Sequence, residues 1–321
     1  RLTVDRDGAT MPAARLELAG NKGEGALTLR WSGERPRLGG TLAFADLDLT
    51  GERRRPLGIG WRALPLDQGT HGLDLDLRLS VPAVRLPGAA LTRVAAALHV
   101  ADRRLHAEIG NAEYLGKPLA LVVRGTLERD GLRATIRGNA DDLPLAELSD
   151  LAEIPGIEAG RLSAAIEAET RCRLVGDCAA GLGGRVGLDA RALTVTGASP
   201  FADISRFRPI VPQANGTRVT TNWERVGVAL RLSGLRTEID RVEILGQSVR
   251  FLFEGSGDLA TGGVDLTGHA YFPAFRPDPA RTGSNEVAVP MRIGGTLRRL
   301  EAMARDLPPQ PNGTPAPSVS P

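Results

Sequence analysis

From Leu73 to Val81 the chain reads Leu-Asp-Leu-Asp-Leu-Arg-Leu-Ser-Val, with an apolar residue at every second position. Successive side chains of an extended strand point to opposite sides, so this spacing gives one apolar and one polar face. Val226, Val228, Leu230 and Leu232 repeat the pattern, as do Leu27–Trp31, Leu42–Leu49, Val94–Val100 and Leu105–Ile109. Further alternating runs are Leu119–Val123, Leu132–Ile136, Leu162–Ala168, Val186–Leu188, Val249–Phe253, Val264–Phe272 and Val287–Ile293. Asn21-Lys22-Gly23, Asp130-Gly131, Gly176-Asp177 and Thr261-Gly262-Gly263 supply turn chemistry between runs. The expected fold is all-β: extended, curved antiparallel sheet forming a groove or an open sandwich.

Two segments interrupt the alternation. Asp142–Ala152 places Leu143, Leu145, Leu148 and Leu151 near helical spacing, and Pro155-Gly156 stops it. Ser199–Phe207 opens with Ser-Pro and is followed by Pro209. Two short helices are expected there. Residues 1–307 are expected to form a single β-rich module, with Pro308–Pro321 a disordered Pro-rich tail.

Composition narrows the classes of function. The chain has 321 residues, 24% charged and 42% hydrophobic, which excludes wholesale disorder. Forty basic residues face 38 acidic ones, and neither sign forms a long block, so a dedicated nucleic-acid binder is not expected. Lysine occurs only at Lys22 and Lys117; the Arg bias fits codon usage in a GC-rich bacterial genome. The apolar strand faces are mostly Leu, Ala and Val, with only seven Phe, three Trp and two Tyr in the chain. Such faces suit a sandwich core built of small residues, or a curved sheet whose inner face holds acyl chains. Periodicity reports sidedness and leaves both readings open.

No stretch approaches the ~20 apolar residues that span a bilayer as a helix. The chain begins at Arg1 without an initiator Met, so a removed upstream signal or membrane anchor is expected. Cys172 and Cys178 flank Gly176-Asp177, a spacing that suits a hairpin closed by a disulfide in an oxidising compartment. The alternative is two small buried thiols.

No Gly-x-Ser-x-Gly elbow, Walker loop or His-Glu-x-x-His motif occurs, and the four histidines show no metal spacing with the cysteines. No catalytic residue, metal site or cofactor is assigned, and an enzyme is not expected. His99, His106 and Glu108 flank one expected hairpin, and Asp46/Asp48, Asp74/Asp76 and Asp141/Asp142 are paired carboxylates. Solvated polar-face roles are the default for these groups. Gly181-Leu182-Gly183-Gly184 precedes a strand and reads as a loop or bulge. Arg53-Arg54-Arg55 is the one local basic cluster, and Trp31, Trp61 and Trp223 suit core positions or a membrane interface.

The stretch Asp74–Gly125 resembles the C-terminal region of AsmA-type bacterial envelope proteins. It has an alternating Asp-Leu strand, a polar connection, a strand ending near a basic turn, and a small-residue strand entering a Gly-bearing turn. Gly138–Leu143 with its short helix, the long hairpin of Leu162–Gly181, and Val287–Leu300 (VAVPMRIGGTLRRL) resemble later elements. The likeness covers most of Asp46–Leu300 and departs where Arg298-Arg299 replaces the Pro often found after Gly-Thr-Leu. It implies a β-rich periplasmic body tethered to the inner membrane by an N-terminal helix. It also implies a role in outer-membrane assembly, with kinship to bridge-like lipid transfer proteins that carry phospholipid along an apolar groove. The expectation is therefore a non-enzymatic β-groove protein, with phospholipid or another acyl-chain lipid as its partner. The lipid-facing candidates are Leu73, Leu75, Leu77, Leu79, Val94, Ala96, Leu98 and Val100. The alternative is an envelope scaffold with a closed β-sandwich that binds protein partners and no lipid.

Overall fold

The computed structural model describes residues 2–18, 20–50, 72–86, 89–151, 154, 156–174, 177–178, 180–197, 219–273, 286–296 and 299–304. They form one open, curved sheet of eighteen strands. In the first half lie β1 (Thr3–Val4), β2 (Gly8–Leu18), β3 (Asn21–Arg30), β4 (Arg37–Phe44), β5 (Leu47–Asp48), β6 (Asp74–Leu86), β7 (Ala89–Ala101), β8 (Arg104–Tyr114) and β9 (Lys117–Glu128). The second half holds β10 (Gly131–Pro144), β11 (Ile157–Cys172), β12 (Gly183–Gly197), β13 (Val219–Ser233), β14 (Arg236–Leu245), β15 (Arg250–Asp258), β16 (Gly263–Pro273), β17 (Glu286–Thr296) and β18 (Arg299–Ala304).

Each strand pairs antiparallel with its successor, with one exception. Strands β4 and β5 both run parallel to β6, and β5 resumes the register that β4 leaves (Ala43 opposite Ser80, then Leu47 opposite Val84). Asn21 holds that interrupted strand from the other side, accepting from the Asp48 N–H at 2.9 Å and donating to the Asp48 carbonyl at 3.2 Å.

One helix is present among the described residues, α1 (Leu145–Leu151). It starts later than the Leu spacing suggests, because Leu143 and Pro144 remain paired with Leu162 and Arg161 in the β10–β11 ladder. The expected helix at Ser199–Phe207 lies outside the described residues, as do Arg53-Arg54-Arg55, Trp61 and the tail. Val287–Leu300 is a hairpin rather than one closing strand: β17 and β18 run antiparallel, with Thr296 paired to Arg299.

Residues opposite one another in a ladder share a face. A single row can be followed across the sheet through Met11, Leu27, Gly40, Leu77, Leu98, Ala107, Val123 and Ile136. It continues through Ala168, Gly184, Leu232, Thr237, Gly257, Val264, Gly295 and Leu300. Thr237 is the one polar side chain in that row. The period-two patterns of separate strands thus join into one apolar face, with the charged residues on the other.

Glycines show which way the sheet bends. On the apolar face, a Cβ built at Gly25, Gly184 or Gly268 would stand 1.9–2.3 Å from a neighbouring strand's carbonyl oxygen. On the polar face, a Cβ at Gly187, Gly227 or Gly294 would meet nothing within 4 Å. Neighbouring strands therefore close toward the apolar side, which is concave, and glycine is what lets them approach there.

Among the described residues no second sheet lies over the concave face; strands make extended contact only with ladder neighbours, and α1 rests on β10 and β11. Buried side chains form three clusters. Phe251, Phe253, Phe272, Val289 and Met291 fill the β14–β17 end, with Phe251 edge-to-face against half-buried Trp223 at 5.7 Å. Phe44, Leu47, Val81, Val84, Val94 and Ala112 gather toward one end of strands β4–β8. Val100, Leu127, Leu132, Ala134 and Cys172 gather at the opposite strand ends of β7–β11. This third cluster is closed by a disulfide between Cys172 and Cys178, whose loop is further held by the Thr170 hydroxyl donating to the Cys178 carbonyl at 2.7 Å.

Because the ladder alternates, turns fall on two lips. The connections β1–β2, β3–β4, β7–β8, β9–β10, β11–β12, β13–β14, β15–β16 and β17–β18 share one lip; α1 and the β8–β9 and β14–β15 connections lie on the other.

Candidate functional site

The feature with the largest chemical potential for binding is the concave face between the buried clusters. Leu75 lies opposite Val100, Leu77 opposite Leu98 and Leu79 opposite Ala96. Leu73 immediately precedes β6 in the same alternation. Of the eight candidates, Leu73, Leu75, Leu77, Leu79, Ala96 and Leu98 are half-buried. Val94 and Val100 are buried, and each belongs to a cluster along one margin of the trough.

The same half-buried state continues well beyond these residues, through Ala107, Val123, Ile136, Ile166, Val186, Leu188, Val228 and Leu230. The alternation had marked their strands, but only the register shows that they line the same floor as Leu77. At β14–β17 the floor changes character: Phe253 and Met291 are 3% and 1% exposed, and aromatic bulk fills the concavity. Among the described residues the trough is thus aliphatic and open over β6–β13 and packed shut at the end where the aromatics gather. With strands about 4.8 Å apart, the whole ladder runs for roughly 75 Å along its arc.

The convex face has a different chemistry. Arg137 meets Glu167 directly across β10–β11, with its Nη2 donating at 2.6 Å. Asp189 accepts from Arg225 Nε at 2.7 Å and from Arg191, and those guanidinium groups hold its carboxyl below the usual value against a partial desolvation penalty. Asp240 is lowered in the same sense by the hydrogen bonds from Arg231, and Asp142 by Lys117 with Arg161 adding to it. Arg292 donates to both oxygens of Asp265 at 2.8–2.9 Å. These pairs bind strand to strand across the outside of the curve. Exposed pairs of this kind each contribute little alone; repeated along the ladder they fix the register and add a modest stability together.

The polar candidates take their places in this outer layer. His99 and His106 are opposite one another, and His106 accepts from Arg124 Nε at 3.3 Å with Glu108 3.5 Å away. Asp46 and Asp48 both face Arg85. No group of three or more His, Cys, Asp or Glu residues suited to a metal occurs among the described residues. Gly183 and Gly184 open β12, where Gly184 is one of the crowded concave positions rather than a phosphate cradle. Trp31 is 41% exposed, its indole N–H donating to the Arg6 carbonyl at 3.0 Å.

Two depressions indent the convex face. One, of about 460 Å³, has exposed Ala43, Ser80, Ala95 and Ala97 as its floor, ringed by Glu24, Arg78 and Glu108. The other, of about 580 Å³, lies beside Leu252, Glu254, Thr267 and His269. Each is a gap left where short side chains sit among long ones, and neither gathers converging polar groups on a reacting position.

No family model, curated protein or solved structure matches the chain.

Proposed function

We propose that the chain is a non-enzymatic β-trough protein that shelters the acyl chains of phospholipid or a related lipid. Its place would be the bacterial periplasm, tethered to the inner membrane in the full-length protein, contributing to outer-membrane assembly and lipid homeostasis. The observation that carries this reading is the aliphatic floor of β6–β13: a register-continuous row of half-buried Leu, Ile, Val and Ala over which no opposing layer lies among the described residues. Burying a methylene against such a surface yields about 0.8 kcal/mol, and a lipid tail has many. The tail would lie on the concave floor while its headgroup stays at a lip in water. The Cys172–Cys178 disulfide supports an oxidising compartment, where such bonds persist. The AsmA-like elements in the sequence support the envelope setting.

The experiment is organic extraction and mass spectrometry of the purified chain, beside a Leu75→Asp/Leu77→Asp variant. Both positions are half-buried, so the variant is expected to keep its strand-rich circular dichroism and to lose bound lipid. A folded variant carrying as much lipid as the parent removes these residues from the trough. If the variant does not fold, titration of the parent with a fluorescent fatty acid decides instead. No saturable binding there overturns the proposal.

A further inference from the structure

We infer that the lip carrying the tight turns is a membrane-docking edge that rests on the surface of a phospholipid bilayer; the inference builds on the lipid reading above. Seven large apolar side chains are well exposed among the described residues, and their placement is uneven. Val4, Trp31, Leu235, Leu259 and Leu300 lie in turns, or at strand ends beside turns, on the same lip; Leu2 precedes Val4. Only Val287, 46% exposed, belongs to the opposite lip.

Leu235 and Leu259 occupy the tips of the β13–β14 and β15–β16 hairpins, at 45% and 57% exposure. The Leu259 N–H donates to the Leu235 carbonyl at 2.7 Å, and Gly234 N–H donates to Leu182 at 2.6 Å, so neighbouring tips are laced into one firm edge. At the other end of the lip, Trp31 N–H donates to the Asp7 carbonyl at 3.0 Å. A leucine on a turn tip has nothing to gain from water. These side chains stand on separate tips along a line and do not enclose a pocket for a partner's side chain. That geometry fits a flat, deformable apolar layer under polar headgroups. Exposed Arg129, Arg173 and Arg236 share the lip and reach headgroup phosphates from there, while Trp31 is of the residue type enriched at bilayer interfaces. The same lip bounds the aliphatic floor over β7–β12, between the apolar tips at β1–β3 and those at β13–β18.

The test is co-sedimentation of the full chain with vesicles of phosphatidylethanolamine and phosphatidylglycerol. Leu235→Asp/Leu259→Asp is compared with Val287→Asp, which puts the same charge on the opposite lip. The parent and Val287→Asp are expected to bind alike, and the double variant to bind about tenfold or more weakly, as the lost apolar contact implies. Equal binding by all three, or no binding by the parent, overturns the docking edge. Lipid extraction from the same samples separates the two proposals. Bound lipid in a parent that ignores vesicles sinks the edge and leaves the trough standing. Vesicle binding without any extractable lipid sinks the trough and leaves the edge standing.

Discussion

Gly268 passes so close to Leu252 in the neighbouring strand that a Cβ at the glycine would stand 1.9 Å from the leucine carbonyl oxygen. The contact lies on the concave face, where the two backbones close on one another. Gly268→Ala must push β15 and β16 apart, and overpacking of this kind costs about 1–3 kcal/mol. Gly227→Ala, on the open convex side of β13, is expected to stay within about 0.5 kcal/mol of the parent. Chemical denaturation of the two variants measures the difference; equal stability would show that the glycines do not set the curve.

The trough and its packed end should respond differently to truncation. Phe253 is 3% exposed among Phe251, Phe272 and Met291, so Phe253→Ala is expected to cost about 3–5 kcal/mol. Leu77 is half-buried with no layer above it among the described residues, and Leu77→Ala should cost about 1 kcal/mol. Urea midpoints check both, and a large loss at Leu77 would mean that its side chain is covered after all.

Acid should loosen the convex side first. Asp189, Asp240, Asp142 and Asp48 all have carboxyl groups held below their ordinary 3.8, the first three chiefly by hydrogen bonds from basic side chains and Asp48 by Thr50. A carboxyl with a lowered folded value contributes stability that is present above the unfolded value and lost as pH falls through the folded one. Melting temperature should therefore hold from neutral pH to about pH 4 and drop below it. Asp189→Asn should show a shallower drop than the parent in the same pH series; an identical slope would remove Asp189 from the account.

The Cys172–Cys178 bond closes a loop of sequence separation six. A loop that short gives about 2 kcal/mol from the restricted unfolded chain. Reduction with dithiothreitol, or Cys178→Ser, should lower the melting temperature and raise amide exchange at Leu127, Leu132 and Ala134, which share the cluster. Unchanged exchange there would confine the bond's effect to its own loop.

Much of this architecture is legible in the sequence, and the reason is local. Alternation at Leu73–Val81 or Val226–Leu232 is a property of neighbouring residues and survives into β6 and β13 unchanged. The cysteine pair is legible for the same reason, six positions apart. What the alternation missed is equally physical. In β2 (Gly8–Leu18), Pro12 and the register shift between Met11 and Ala14 break the period, and in β14 a bulge at Ile239–Val242 does the same. Asp142 stays in β10 because pairing with β11 outweighs the helical spacing of its leucines. The floor beyond β6 and β7 was hidden because register belongs to pairs of strands, while periodicity belongs to one. The concave side left a mark that could have been read: glycine at apolar-phase positions such as Gly25, Gly138, Gly184 and Gly268.

One consequence lies in the order of the ladder. Apart from the parallel step from β4 to β6, every strand is bonded to the strands before and after it in the chain. Such a molecule is nearly one-dimensional, and its stability is a sum over adjacent links rather than the property of a single centre. Its length is then an adjustable quantity. Inserting or deleting a hairpin would change the span by about 10 Å while leaving distant links as they were. In a fold of this kind the number of hairpins alone sets how long the trough is.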